Sequence, residues 1–293
     1  MRTFLLVSTA LVGVTALAAP AMAQTAVRSV SLQAAADPED PTILDPITVL
    51  ATRSATRVDE APATVTVITA REIEQNLYTD IKDLVRFEPG VSVPTQPSRF
   101  GAALGSTGRD GNSGFTIRGL GGDRVLMVVD GVRTPDGYAF GPQSVGRGGY
   151  SDLDLMKSVE ILRGPASALY GSDGVAGAVA FTTKDPVDML GADRDWTARA
   201  RVAYGSADDS LATGLSFAGR QGPVSGLLAW TRREASETEN QGTVGGEGAS
   251  RTEPNPQSMQ SDALLAKLVW QAAPGHRLGL TWETYDADTD ANV

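Results

Sequence analysis

Residues 115–133 read FTIRGLGGDRVLMVVDGVR, and residues 154–184 read DLMKSVEILRGPASALYGSDGVAGAVAFTTK. Short apolar runs alternate with glycine turns. This predicts strands over Phe115–Arg118, Arg124–Asp130, Ser158–Leu162 and Ala176–Thr182. Asp130-Gly131 after an apolar run is a hairpin signal, because glycine reaches positive φ without steric cost. Ser151 with Asp154 reads as a helix N-cap with an acid in the first turn. Pro165 reads as the opening of a short helix through Tyr170. These pieces make a small α+β unit and by themselves specify no reaction.

Upstream, Ala63 to Thr69 alternates as a strand, and Thr69-Ala70-Arg71-Glu72 is a capping box that starts a short helix. A second helix is expected over Thr79–Phe87, with Ile81, Leu84 and Val85 on one face and Pro89-Gly90 as its stop. Residues 94–114 form a polar loop rich in glycine and serine, of a length that is functional or disordered in a compact domain.

Downstream of Pro186 the period lengthens. Trp196, Ala198, Ala200, Val202 and Tyr204 alternate with Thr197, Arg199, Arg201 and Ala203. Further runs over 211–218, 224–233, 264–270 and 277–283 give five strands in all. Alternating strands of about ten residues with aromatics near their ends fit a transmembrane β-barrel; a soluble β-sandwich shares the alternation. The connections favour the barrel: Arg220-Gln221-Gly222 and Ala273-Pro274-Gly275 are tight turns, whereas Glu234 to Gln260 is long and polar, the asymmetry of outer-membrane barrels. Five strands leave two open edges and plugged barrels use about 22 strands, so this part is expected to be incomplete or truncated.

Composition narrows the chemistry. The chain has 293 residues, a net charge of -10, no cysteine and one histidine. Acidic residues scattered along the chain do not suit nucleic acid, and the absence of cysteine removes disulfides, thiolate metal sites and a thiol nucleophile. His276 sits beside a tight turn with no acid or nucleophile in register. Gly119-Leu120-Gly121-Gly122 runs into a strand rather than opening a helix, which rejects a dinucleotide loop. At the N-terminus, Arg2, the apolar run Phe4–Ala19 and Ala21-Met22-Ala23 read as a secretory signal peptide over residues 1–23, too short for a membrane-spanning helix. Residues 24–44 have no periodicity and read as a flexible tail.

Ile117-Arg118-Gly119, Val129-Asp130-Gly131, Val159–Pro165, Ala168-Leu169-Tyr170-Gly171 and Gly174–Ala178, in that order, resemble the plug domain of TonB-dependent outer-membrane receptors. Ala180–Asp185 and the loop Phe140–Tyr150 are most similar to the haem/haemoglobin receptor branch. The resemblance implies an α+β plug over 59–185, preceded by an arm over 24–58 and followed over 194–293 by the first strands of an antiparallel barrel. It also implies a TonB box at about 45–52, carried by Asp45, Pro46, Ile47, Thr48, Val49 and Leu50. Physically this is a short β-prone segment on a mobile arm, able to add as a strand to a partner's sheet edge. By the same resemblance, Arg118 and Arg163 pair with acids on the barrel wall and hold the plug. The plug loops and the outer loops face the ligand, with Arg99, Arg109, Tyr138, Phe140 and Tyr150 as candidates. The expected partners are TonB, outer-membrane lipid, and haem, a haem protein or a ferric siderophore. The expected function is uptake without catalysis and without a permanently bound cofactor or metal. A receptor for another ferric chelate, or a secreted β-rich adhesin, is the alternative.

Overall fold

The computed structural model describes residues 47–48, 50, 56–93, 114–136, 138–140, 143–145, 151–191, 194–247 and 250–291. Residues 45–293 form one compact unit. The expected signal peptide and tail lie outside the described residues.

The arm begins with β1 (Ile47–Thr48), which pairs antiparallel with β2 (Thr56–Arg57). Next come β3 (Thr64–Thr69) and α1 (Ala70–Gln75), joined by the expected capping box: Glu72 N–H donates to Thr69 Oγ1, and Thr69 N–H donates to the Glu72 carboxylate. The second helix is shorter than the apolar spacing predicts. α2 is a single turn, Ile81–Leu84, capped by Asp80. Val85 has already left the helical region at φ -104 and ψ 4, and the chain continues in i→i+3 turns to Glu88. The one turn suffices to bury Ile81 and Leu84.

The central sheet adds β6 (Val125–Val129), β7 (Val132–Arg133), β10 (Met156–Arg163) and β11 (Gly177–Thr183), in the order β3-β10-β11-β6-β7. Only β11 and β6 run parallel; the other pairs are antiparallel. The β6–β7 turn has positive φ at both Asp130 (47°) and Gly131 (82°), the geometry that Asp-Gly predicts. β6 reads as an unbroken apolar run because both of its faces are covered. Val125 and Met127 join the core with Ile73, Leu84, Val159 and Phe181, whereas Leu126 and Val128 join a second cluster with Leu50, Val65, Leu162 and Ala166. β4 (Val91–Ser92) with β5 (Thr116–Ile117), and β8 (Tyr138–Phe140) with β9 (Gln143–Val145), are small separate ladders. The helix expected to open at Pro165 is α3, Ser167–Tyr170. The cap expected from Ser151 belongs instead to Asp152, whose carboxylate accepts from Asp154 N–H at 2.7 Å and starts a 3-10 turn, Leu153–Leu155.

A helix that the sequence reading did not anticipate, α4 (Pro186–Leu190), leads out of this domain. Five consecutive antiparallel strands follow: β12 (Trp196–Gly205), β13 (Ser210–Gln221), β14 (Val224–Ser236), β15 (Gln257–Ala273) and β16 (His276–Ala291). One face packs on the first domain, and Ala218, Leu227, Ala229, Ala263 and Leu265 share its core. The other face is apolar and bare, with Trp196, Val202, Phe217, Leu268, Leu280 and Trp282 each more than half exposed. A bare apolar face of that extent has hydrocarbon as its natural solvent. On β16 the same face turns from Leu278, Leu280 and Trp282 to Asp286, Asp288 and Asp290, so the strand outruns its apolar band. The tight turns at Gly222 and Gly275 lie at one end of the sheet and residues 237–256 at the other.

Gly177 is where β11 passes closest to β10. A Cβ there stands 2.2 Å from the Leu162 carbonyl oxygen and 2.7 Å from Ile117 Cδ1, whereas one at Gly214 in β13 meets only ordinary contacts. Gly177→Ala is therefore expected to destabilise the chain by about 3 kcal/mol, against under ~1 kcal/mol for Gly214→Ala. Urea unfolding followed by far-UV circular dichroism checks the difference.

Candidate functional site: the docked arm and the charged seam

Glu160 lies in the middle of β10 and is 5% exposed. A carboxylate so placed needs donors, and the arm supplies them. Thr48 Oγ1–H donates to Glu160 Oε2 at 2.6 Å and Leu50 N–H donates to the same oxygen at 2.9 Å. The Tyr170 hydroxyl donates to the Leu50 carbonyl at 3.1 Å. Thr48 is fully buried and Leu50 is 2% exposed. The segment expected to be free on a mobile arm is therefore docked at Thr48 and Leu50, and Ile47–Thr48 already has a strand partner in β2. Asp45, Pro46 and Val49 lie outside the described residues.

At the N-terminal end of β10 the domain meets the wall through charge. The inward faces of the wall strands carry cations and the domain presents acids. Arg233 grips Asp152 through Nε and Nη2 and also reaches Asp154 at 2.9 Å; Arg201 pairs with the other Asp154 oxygen. These four side chains are 3–16% exposed. Ser151 donates to Glu283 on β16. Lys267 donates to the Thr183 carbonyl at 3.3 Å and stands 3.4 Å from Asp130, whose carboxylate also accepts from Thr183 N–H. Arg277 pairs with Asp185 at 2.9 Å and Arg199 with Glu74 at 2.6 Å. Arginine suits the seam because it stays charged and offers a fork of donors.

Arg118 and Arg163 sit elsewhere. Arg163 turns into its own domain, onto Glu88 and Thr66. Arg118 is exposed, at φ 51°, and its amide donates to the Gly90 carbonyl at 2.7 Å. Among the described residues neither meets a wall acid. Tyr138 and Phe140 lie on the β8–β9 hairpin; Arg99, Arg109 and Tyr150 lie outside the described residues. Among the described residues no cluster of His, Cys, Asp or Glu could hold a metal ion. The reading by motif missed the seam because its residues belong to no motif. The available signal was the interruption of apolar strands by inward cations, Arg199, Arg201 and Lys267, with Asp152-x-Asp154 on the other side.

Burial pushes the Glu74 carboxyl up, but the Arg199 hydrogen bond and the charges of Lys184 and Arg199 outweigh it and hold the group below the ordinary value. Burial pushes the neighbouring Lys184 ammonium down, partly offset by the charge of Glu74. A depressed carboxyl contributes stability that is present above its unfolded value and lost as pH falls through the folded one. Glu74→Gln is thus expected to lose stability at neutral pH and to flatten the acid limb of an unfolding-against-pH curve. Arg233→Ala leaves Asp152 buried and half-partnered, and is expected to cost about 3 kcal/mol or more in urea unfolding.

The TonB-dependent Receptor Plug Domain family matches residues 57–178. Transferrin-binding protein A of Haemophilus influenzae is 34% identical over 179 residues, which is 58% of this chain and 18% of that protein. The Probable hemoglobin and hemoglobin-haptoglobin-binding protein 4 of the same organism is 29% identical over 75% of this chain and 22% of its own length. The chain thus spans about a fifth of these curated relatives. Among solved structures, the pyoverdine outer membrane receptor FpvA of Pseudomonas aeruginosa matches in fold, with a TM-score of 0.62 at 18% identity over 86% of this chain and 31% of that one. Residues 57–178 thus carry the plug domain of the TonB-dependent receptors, and the fold seats that domain on five strands of an open barrel wall.

Proposed function

We propose that this chain is the plug-bearing part of a receptor that takes up haem or a haem protein across the outer membrane, driven by TonB pulling on residues 45–52. The observation that carries the reading is the arrangement of the arm. A β-prone segment is held on the plug by Glu160 and Tyr170 through hydrogen bonds to Thr48 and Leu50, and not by chain continuity with the sheet. Exchange of such a segment onto another sheet edge breaks these hydrogen bonds and withdraws one apolar side chain, Leu50, from the smaller cluster, while the ladders of the central sheet stay paired. The plug bears on the wall through ion pairs, which can be exchanged one at a time, beside a few apolar wall residues that share its core. In this role the protein makes and breaks no covalent bond, and the iron ligand is cargo.

The names of the curated relatives, which bind transferrin or haemoglobin, support an iron-carrying cargo. The chain's one histidine, His276, opens β16 beside the tight turn and away from residues 237–256. Haem iron, if bound, then takes its axial ligand from Tyr138, from Tyr150 or from wall strands beyond these five. A ferric siderophore needs no protein ligand to its iron, and the absence of plug histidine favours this second reading.

Two experiments test the reading. Ile47→Pro removes a main-chain donor from the arm strand; in the intact receptor it is expected to leave ligand binding normal and abolish uptake, so uptake at the parent rate refutes the TonB box. Ferric haem titrated into the intact receptor, and into its Tyr138→Phe and Tyr150→Phe variants, is expected to give a phenolate-type absorption band lost in one of the two. Unchanged spectra in both place the axial ligand on the wall; no haem binding, with tight binding of a ferric siderophore, selects the second reading.

A further inference from the structure

β10 is held at two places that face different parts of the molecule. Ser151, Asp152 and Asp154, immediately before it, are fastened to Glu283, Arg233 and Arg201 of the wall. Glu160, within it, fastens Thr48 and Leu50 of the arm. From the start of β10 at Met156 to Glu160 the strand spans about 13 Å at the rise of an extended chain. It is paired with β11 over Met156–Arg163 and, from Ser158 to Arg163, with β3 as well. Val159, Ile161 and Leu162 beside Glu160 are at most 2% exposed. A strand laddered on both sides cannot slip by one residue without turning its core side chains to the wrong face. Its one irregularity is the register shift between Met156 and Ser158, where Lys157 pairs with Asp188 of α4 at 2.8 Å.

We propose that β10 is a rigid link: the grip of Arg201 and Arg233 on Asp152 and Asp154 sets how firmly Glu160 holds the arm. Loosening the grip lets the Leu153–Leu155 turn shift, and β10 carries the displacement as one piece. Glu160 Oε2 receives two donors at 2.6 and 2.9 Å, so a shift of about 1 Å breaks both. The link thus runs from the wall, through β10, to the arm. Its biological meaning rests on the reading of residues 45–52 as the TonB-contacting segment; the mechanical coupling does not.

The chain contains no cysteine, so Leu50→Cys places a single thiol at a buried position while keeping the backbone groups that Glu160 and Tyr170 hold. Maleimide labelling of the full chain in detergent reads release of the arm. Against the Leu50→Cys parent, Glu160→Gln is expected to speed labelling about tenfold, and Asp154→Asn and Arg201→Gln each about threefold or more, as population shifts toward a released arm require. Far-UV circular dichroism and a protease-resistant plug should stay unchanged. Arg133→Gln, which unpairs Asp173 at the far edge of the sheet and off the link, is expected to label at the parent rate. Asp154→Asn and Arg201→Gln labelling at the parent rate while Glu160→Gln labels fast overturns the coupling and leaves the register shift at Lys157 absorbing the motion. Equal acceleration by Arg133→Gln also overturns it, since that marks general loosening. Should Asp154→Asn fail to fold, Arg201→Gln decides alone, because Arg233 still holds Asp154. No partner enters the readout, so its outcome is separate from that of the Ile47→Pro uptake experiment.

Discussion

Arg233 of the wall closes on Asp152 and Asp154 of the plug with all three side chains almost out of water, and the rest of the molecule depends on that contact. Five consecutive strands turn cations inward and apolar side chains outward. The outward face needs hydrocarbon and the inward face needs counter-charges. Removing arginines and carboxylates from water together is tolerable only where each finds its partner with good geometry. The plug meets that requirement at Asp152, Asp154, Asp130, Asp185 and Glu74. Wall and plug are thereby fixed to each other by a pattern of charge, and their apolar residues merge into a shared core behind it.

The polarity of the seam has a mechanical consequence. A hydrophobic seam of the same extent would resist any relative motion, because every displacement exposes apolar surface to water. Ion pairs and hydrogen bonds can be exchanged one at a time, with water taking the place of a lost partner. The plug is therefore built in two layers. Its sheet is rigid, covered on both faces and threaded by β10. Its attachments to the wall and to the arm combine exchangeable polar contacts with the few apolar side chains that share its core.

Much of the plug and of the wall was legible in local chemistry. Asp130-Gly131 dictates its turn through φ alone, the Thr69–Glu72 box dictates its cap, and the alternation over Trp196–Tyr204 dictates a two-faced strand. Each depends on neighbours a few residues away, so the sequence carries the information directly. The readings that failed were those where a local preference met a long-range partner. Ser151 has the chemistry of a cap but spends its hydroxyl on Glu283. Thr79–Phe87 has the spacing of a longer helix, but one turn already buries Ile81 and Leu84. The arm has the composition of a free segment, yet Thr48 and Leu50 are claimed by Glu160.

The sequence by itself determined the strands, the turns, the family resemblance and the alternation that gives the wall a lipid face. Those follow from backbone sterics and side-chain period, which act over a few bonds. Only the tertiary structure decided which acid meets which base. Arg233 and Asp152 are 81 residues apart and Thr48 and Glu160 are 112 apart. The chain has 25 basic and 35 acidic residues, and nothing in their spacing distinguishes one pairing from another. Which charges are desolvated, and therefore which pairs matter, is set by where the plug excludes water against the wall.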